Sequence, residues 1–113
     1  TSIPFSPQEE IHLLQISREA IQNAFYHSMG SEIKISIKEN DNSKIVLKVA
    51  DNGIGIPDDP NKLNHYGLAI MKERSRNLDG ELVIKKNDLG GTSVIFQFIP
   101  LYARQIGTVA QSA

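Results

Sequence analysis

The sequence predicts a mixed α/β domain in which helices cover one face of a largely antiparallel sheet. Three observations predict this class: helical apolar spacing in residues 8–25, two pairs of short alternating segments, and a second helical segment between the pairs. Such an order is typical of one two-layer domain. The 113 residues are enough for one core and too few for two independent ones.

The first helix is expected to begin at Ser6, with Pro7 at the first helical position and Glu9 closing a capping box. It is expected to end near Gly30. Apolar side chains at helical spacing predict a stripe that faces the core. The stripe comprises Leu14, Ile21 and Phe25 together with their neighbours Leu13, Ala20 and Ala24.

Two strands follow the helix as an antiparallel hairpin. In residues 33–38, isoleucine alternates with lysine and serine, a period-of-two pattern that leaves one face in solvent. A turn signal occupies residues 40–43, and apolar alternation resumes from Ile45 to Asp51. The predicted inward positions of the first strand are Ile33, Ile35 and Ile37.

A long segment with few core signals, residues 52–66, separates this hairpin from the next helix. Loops of this length are often functional lids. The next helix is predicted to end at Gly80. Its core face comprises Leu68, Met71, Ser75 and Leu78.

A second hairpin completes the predicted domain. One strand is expected at residues 82–84 and another at residues 94–98, with the turn at residues 87–91. We interpret residues 101–113 as a C-terminal tail, which leaves residues 1–100 as the domain.

Composition and charge exclude several function classes. With 12 Lys and Arg against 13 Asp and Glu, the formal net charge is -1, so bulk charge predicts no nucleic-acid partner and no anionic membrane surface. Without cysteine, the chain has no disulfide, zinc thiolate or thiol nucleophile. No apolar run of about 18 residues occurs, so we expect no membrane-embedded segment.

Glu19 and Asn23 lie four positions apart in the first helix and therefore share one of its faces, beside the apolar stripe. A carboxylate and a carboxamide so placed could hold a hard cation such as Mg²⁺. The carboxylate could also act as a general base. Taken alone, the pair is equally typical of a solvated polar edge.

The segment Asp51-Asn52-Gly53-Ile54-Gly55 follows the second strand directly. Gly53 and Gly55 would let a ligand approach the backbone closely. An ionised Asp51 accepts hydrogen bonds and donates none, so it could take the exocyclic amine of adenine and would be repelled by the carbonyl of guanine. The same residue types also form ordinary tight turns.

Two further glycines could lie against a ligand. Gly67, at the start of the second helix, would offer a phosphate backbone N–H groups and the positive end of the helix dipole, or simply let the chain turn. Gly91 precedes Thr92, whose hydroxyl can donate and accept, although a hairpin turn would also account for the glycine. His27 and His65 are candidate neighbours of a bound anion, and no two histidines have zinc-ligand spacing.

The order of these motifs resembles the GHKL superfamily of ATPases and kinases over residues 8–100. The stretches 14–24 and 65–74 are similar, more closely, to the catalytic ATP-binding domain of bacterial sensor histidine kinases of the nitrate/nitrite sensor subfamily. The resemblance implies the Bergerat ATP-binding fold with an ATP lid. The motifs that carry it are Glu19 with Asn23, Asp51-x-Gly53-x-Gly55, Gly67-Leu68 and Gly91-Thr92.

The resemblance also implies a function and residue roles. The domain would bind Mg²⁺-ATP and transfer the γ-phosphoryl group to a histidine on a separate dimerisation domain, in two-component signal transduction. Asn23 would ligate Mg²⁺, Glu19 would orient or deprotonate the attacking group, and Asp51 would bind the adenine amine. The remaining nucleotide contacts would come from Gly53, Gly55, Gly67, Leu68 and Thr92.

Two departures from the family pattern stand out. Many members carry a lysine where this chain has Tyr26, so a phosphate contact would either be missing or move to His27, Lys62 or His65. The acceptor histidine of the subfamily precedes an acidic residue, and none of the three histidines here does. We therefore expect the acceptor on another domain of the full-length protein, with a response regulator as an indirect partner.

The resemblance places the domain in the cytoplasm, as part of a parent protein anchored in the bacterial inner membrane. Two alternatives stay open. One is a serine kinase of anti-sigma type from the same superfamily. The other is a catalytically degenerate nucleotide-binding interaction module.

Overall fold

The structure is a computed structural model that describes residues 4–27, 32–53, 65–88 and 90–104. Its elements occur in the predicted order. They are α1 (Pro7–His27), β1 (Ile33–Glu39), β2 (Ile45–Asp51), α2 (His65–Asn77), β3 (Glu81–Lys86) and β4 (Thr92–Phe98). Most of the predicted lid, and residues 29 and 30 where α1 was expected to end, lie outside the described residues.

Helix α1 begins with the predicted capping box. The Ser6 backbone N–H donates to Glu9 Oε1 at 2.8 Å, and the Glu9 N–H donates to Ser6 Oγ at 3.2 Å. Glu9 is buried, and its Oε2 accepts the backbone N–H of Leu101 at 2.9 Å. One carboxylate thus caps the helix and joins it to the helical turn of residues 101–104. The domain boundary at residue 100 stays a prediction.

The buried face of α1 includes most of the predicted stripe, because Leu13, Ala20 and Ala24 are buried and Ile21 packs against the core. Leu14 is 69% exposed and Phe25 is 74% exposed, so their assignment to the core was wrong. The row through Leu14 and Phe25 and the row through Leu13 both recur at helical spacing, and packing against the sheet selects the row through Leu13. That buried row comprises Leu13, Ile16, Ala20 and Ala24.

The four strands form one sheet in the order β1-β2-β4-β3, and every pairing in the described part is antiparallel. Both predicted hairpins are confirmed, and α1 and α2 pack together on one face, as predicted. The centre of that face is apolar because strand side chains alternate and the inward row is aliphatic or aromatic. The sheet residues in the core are Ile45, Leu47, Val49, Val94, Phe96 and Phe98.

Edge strand β1 shares this core only in part. Ile35 is 54% exposed and Ile37 is 44% exposed, although they lie opposite the buried Val49 and Leu47 on the same face. The helix layer packs on β2 and stops short of the edge strand. The sequence therefore predicted the correct face for these isoleucines, but their burial was wrong.

Helix α2 buries the predicted face, with both Met71 and Ser75 buried. Asp79 supplies the left-handed residue after the helix, with φ of 51°, and the Gly80 N–H donates to Ser75 O at 2.9 Å. Gly80 is required for a different reason. A Cβ there would lie 2.3 Å from the Phe96 ring, so the glycine lets the turn pack on the core.

Contacts at one end of the domain orient both helices. The start of α1 meets Leu101 through Glu9, and the end of α2 meets Arg104, whose Nη1 lies 3.4 Å from Asp79 Oδ2. Strand β2 also begins there, because Ile45 lies opposite the last residue of β4. The end of α1, the end of β2, the start of α2 and the β3–β4 turn therefore meet at the opposite end, which we call the site end.

Candidate functional site

Strand β2 ends at the site end in a buried carboxylate held by two backbone donors. Asp51 is 5% exposed. Its Oδ1 accepts the N–H of Gly53 at 2.9 Å and the N–H of Thr92 at 3.2 Å. Within the described part of the chain, no group donates to Oδ2. The carboxylate therefore keeps one oxygen that can accept a hydrogen bond from a ligand.

The Asp51 side chain lies on the helix-covered face of the sheet. Side chains alternate along a strand, and Asp51 follows Leu47 and Val49 at intervals of two. Those two residues belong to the core beneath α1 and α2. A ligand that reaches Asp51 Oδ2 would therefore enter between the sheet and the helices.

Gly91 allows the β3–β4 turn to approach Asp51. A Cβ at Gly91 would lie 2.1 Å from the Asp51 carbonyl oxygen and 2.4 Å from Asp51 Oδ1. Any side chain here would separate Thr92 from the carboxylate that its backbone N–H contacts. Gly91 and the Thr92 backbone N–H therefore hold the carboxylate together, whereas the prediction from the sequence rested on the Thr92 hydroxyl.

Asn87 is a site-end residue for which the sequence predicted only a place in a turn. Its Nδ2 donates to the Asp51 carbonyl oxygen at 2.9 Å and to Ser93 Oγ at 3.2 Å. Its Oδ1 accepts the Gly91 N–H at 3.1 Å. The only signal in the sequence was an asparagine shortly before a Gly-Gly pair, which is common in hairpin turns.

Helix α1 carries Glu19 and Asn23 towards the site end. Glu19 is buried, and its Oε1 accepts a hydrogen bond from Gln15 Nε2 at 3.3 Å. Asn23 is half-buried, and none of the described residues forms a hydrogen bond with its side chain. The carboxamide oxygen of Asn23 is therefore available to a cation or a ligand, as the chemistry of a Mg²⁺ site requires.

Gly67 and Leu68 lie in the first turn of α2, also at the site end. Gly67 is buried, and Leu68 packs against the core. His27 ends α1 and His65 begins α2, so their backbones lie at the site end, while their side chains lie outside the described part. Gly55 also lies outside the described residues.

The described residues contain no group of three or more His, Cys, Asp or Glu side chains that could hold a metal ion. Phosphate oxygens of a bound molecule would suit a Mg²⁺ ion at Asn23. None of the described helices is long and apolar enough to cross a membrane.

A family model matches almost the whole chain. It is described as Histidine kinase-, DNA gyrase B-, and HSP90-like ATPase, and it matches residues 8–103. The chain belongs to this family. The match spans every candidate residue from Glu19 to Thr92, which agrees with the resemblance inferred from the motifs.

Two relatives of this ATPase domain carry names from nitrate sensing. The chain is 45% identical over 92 residues to the nitrate/nitrite sensor protein NarX of Escherichia coli K12, which covers 81% of the chain and 15% of NarX. It is 39% identical over 97 residues to NarQ of the same organism, covering 86% of the chain and 17% of NarQ. The predicted similarity to this subfamily is confirmed. The chain spans about a sixth of the length of these relatives.

A solved structure supports the same fold for the ATPase domain. The histidine kinase domain of the blue-light activated histidine kinase EL346 from Erythrobacter litoralis superposes with a TM-score of 0.71 at 21% identity. The similarity covers 88% of the chain and 48% of that structure. The predicted fold is thereby confirmed.

Proposed function

We propose that the chain is the catalytic domain of a sensor histidine kinase, which binds Mg²⁺-ATP and transfers its γ-phosphoryl group to a histidine on a separate dimerisation domain. The observation that carries this proposal is the buried Asp51 carboxylate, with Oδ1 held by two backbone N–H groups and Oδ2 left for a ligand. Membership of the family and the similarity to two nitrate/nitrite sensor proteins support it.

Asp51 Oδ2 would accept a hydrogen bond from the exocyclic amine of adenine. Guanine has a carbonyl at that position, which an ionised carboxylate repels. Because Oδ1 is held by the N–H groups of Gly53 and Thr92, the carboxylate cannot rotate freely to suit another base. The site is thus expected to prefer ATP over GTP.

The start of α2 would hold the phosphates. The N–H groups of the first turn and the positive dipole end make a helix N-terminus a favourable environment for phosphate, and Gly67 lets a ligand come close. His27 and His65 flank this end and would replace the lysine contact that Tyr26 cannot make. Gly55 and Leu68 would complete the pocket.

The γ-phosphoryl group would be transferred in the space between the bound phosphates and helix α1, which carries Asn23 and Glu19. Asn23 would ligate Mg²⁺, which neutralises phosphate charge when it is bound. The bond from the γ-phosphorus to the bridging oxygen breaks as an imidazole nitrogen of the acceptor attacks, and Glu19 takes or orients the imidazole proton. Catalysis would then consist mainly of positioning and charge stabilisation.

The outer face of α1 would meet the acceptor domain. Ile11, Leu14 and Phe25 recur on one side of the helix and are 57%, 69% and 74% exposed. Apolar side chains that repeat in this way on a surface commonly mark a protein contact. The same helix carries Glu19 on its buried side, so an acceptor docked there would contact the helix that bears the proposed base.

The wider setting follows from the same proposal. The domain would be the cytoplasmic part of a sensor anchored in the bacterial inner membrane, and a response regulator would receive the phosphoryl group from the acceptor histidine. The chain would then contact the regulator only indirectly.

The test uses the chain with γ-labelled ATP, Mg²⁺ and a purified histidine-acceptor domain of this subfamily. We expect label on the acceptor that is lost in acid and stable in alkali. Glu19→Gln should bind ATP normally and transfer about 100-fold more slowly. Leu14→Glu should also bind ATP normally but lose transfer, because it places a charge on the docking face.

Other outcomes would contradict the proposal. Acid-stable label on a serine of a partner protein would indicate a serine kinase of anti-sigma type. ATP binding without transfer to any acceptor would indicate a degenerate binding module. Acid-labile label on the chain alone would contradict an acceptor on a separate domain.

A further inference from the structure

We propose that Asn87 is a positioning residue that fixes the Asp51 carboxylate from the far face of the sheet and so sets the preference for adenine over guanine. This inference rests on the proposed ATP-binding function. Asn87 itself would not touch the nucleotide.

Asn87 lies behind the site. Its hydrogen-bond partner Ser93 lies opposite Ala50 and Lys85 in the sheet. Because Ser93 directly precedes the inward-facing Val94, its side chain lies on the face of the sheet away from the helices. The Asn87 amide that reaches Ser93 Oγ therefore approaches Asp51 from the face opposite the helices. It contacts the Asp51 carbonyl oxygen and leaves the carboxylate to the other side.

The same side chain closes the β3–β4 turn. Asn87 Oδ1 accepts the Gly91 N–H at 3.1 Å, and the Asn87 backbone N–H donates to Gly91 O at 3.0 Å. Gly90 donates to Asn87 O at 3.2 Å. These bonds fix the residue before Thr92, and Thr92 donates to Asp51 Oδ1. Asn87 thus positions both the Thr92 N–H, which donates to the Asp51 carboxylate, and the Asp51 backbone carbonyl group.

The arrangement requires a side chain with one donor and one acceptor. The amide of Asn87 donates through Nδ2 to Asp51 and accepts through Oδ1 from Gly91. Aspartate would keep the acceptor but place an oxygen against the Asp51 carbonyl oxygen. Alanine would remove both contacts. In either variant the turn and the end of β2 can shift relative to each other, and Oδ2 loses its fixed direction.

The experiment compares Mg²⁺-ATP and Mg²⁺-GTP affinity by calorimetry in the unchanged chain, Asn87→Ala and Asn87→Asp. The matched control is Asn40→Ala. Asn40 also sits in a hairpin turn, where its Oδ1 accepts the N–H groups of Asn42 and Lys44 at 3.0 Å each, but the β1–β2 turn lies at the opposite end. The Asn40→Ala variant therefore reports the effect of loosening a turn that lies away from the site.

We expect the ratio of ATP to GTP affinity to fall roughly three- to tenfold in both Asn87 variants, the effect of weakening one hydrogen bond. Asn40→Ala should leave the ratio unchanged at a similar loss of stability. A merely structural role would weaken both nucleotides equally and would overturn the inference. So would an unchanged ratio in folded Asn87→Asp. If the unchanged chain shows no preference for ATP, the proposed function fails, and this inference fails with it.

Discussion

Replacing Gly91 by alanine tests the contact between the β3–β4 turn and Asp51. The new Cβ would lie 2.1 Å from the Asp51 carbonyl oxygen, so that oxygen must retreat by at least about 0.9 Å to reach the 3.0 Å limit of real Cβ contacts. It cannot do so without stretching its hydrogen bond from Asn87. Overpacking costs about 1–3 kcal/mol, and a weakened hydrogen bond costs about 0.5–1.5 kcal/mol more.

We therefore expect Gly91→Ala to lower the free energy of unfolding by about 2–4 kcal/mol, measured by urea denaturation. Affinity for ATP should fall at least about tenfold, because Thr92 and Asp51 are displaced together. The neighbouring Gly90→Ala is the control. Gly90 has a φ of 87° but its Cβ would meet nothing closer than 3.9 Å, so that variant should lose about 1–2 kcal/mol by strain alone and keep its ATP affinity.

Equal ATP affinities for the two glycine variants would refute this reasoning. A stability loss in Gly91→Ala of under about 0.5 kcal/mol would refute it too, because the turn would then have room that the contact distances deny.

Two further predictions concern the end opposite the site. Glu9→Gln should lower stability by about 1–3 kcal/mol in urea denaturation, because the Ser6 and Leu101 N–H groups are held by different carboxylate oxygens, and the glutamine NH₂ group would replace one of these acceptors with a donor. The second concerns Tyr102, whose hydroxyl donates to Glu39 Oε2. This hydrogen bond raises the pKa of Tyr102 above its usual value, with minor contributions from burial and nearby carboxylates. The pKa of Tyr102 is therefore higher in the folded state than in the unfolded state. The hydrogen bond stabilises the fold fully below the unfolded-state pKa, and this stabilisation is lost as pH rises through the folded-state pKa.

Each of these predictions has its own control. Glu9→Gln should leave ATP affinity unchanged, and a large loss of affinity would mean that the two ends of the domain are coupled. The Tyr102 titration is read as the difference in absorbance near 295 nm between the unchanged chain and Tyr102→Phe. Glu39→Ala should return its midpoint to about 10. A midpoint that stays high in that variant would exclude the hydrogen bond as the cause.

Local signals in the sequence were sufficient for several elements. The capping box at Ser6 and Glu9 specified the start of α1, because both partners lie within one turn. Alternation in β1 and β2 specified their hairpin, since a period of two places alternate side chains on one face only in an extended strand. The Asp51 motif indicated a carboxylate at a strand end, although the two donors that hold it come from different segments.

The errors arose where tertiary packing decides. Helix α1 has apolar residues on two faces, so spacing alone could not choose between Leu14 and Leu13. Burial of Ile35 depended on how far the helix layer extends over the sheet, which no property of β1 encodes. The role of Asn87 depends on a contact with Asp51, 36 positions away in the chain, and turn chemistry gives no sign of it.

The most direct test of adenine recognition is calorimetric titration of Mg²⁺-ATP and Mg²⁺-GTP into the chain and into Asp51→Asn. In the variant, the two backbone donors should hold the amide oxygen, which turns the NH₂ group towards the adenine amine. We predict ATP binding in clear preference to GTP. The variant should weaken ATP binding by about 1.5–3 kcal/mol, roughly 10- to 100-fold, with a smaller change for GTP. Unchanged ATP affinity in a folded Asp51→Asn variant would contradict the account.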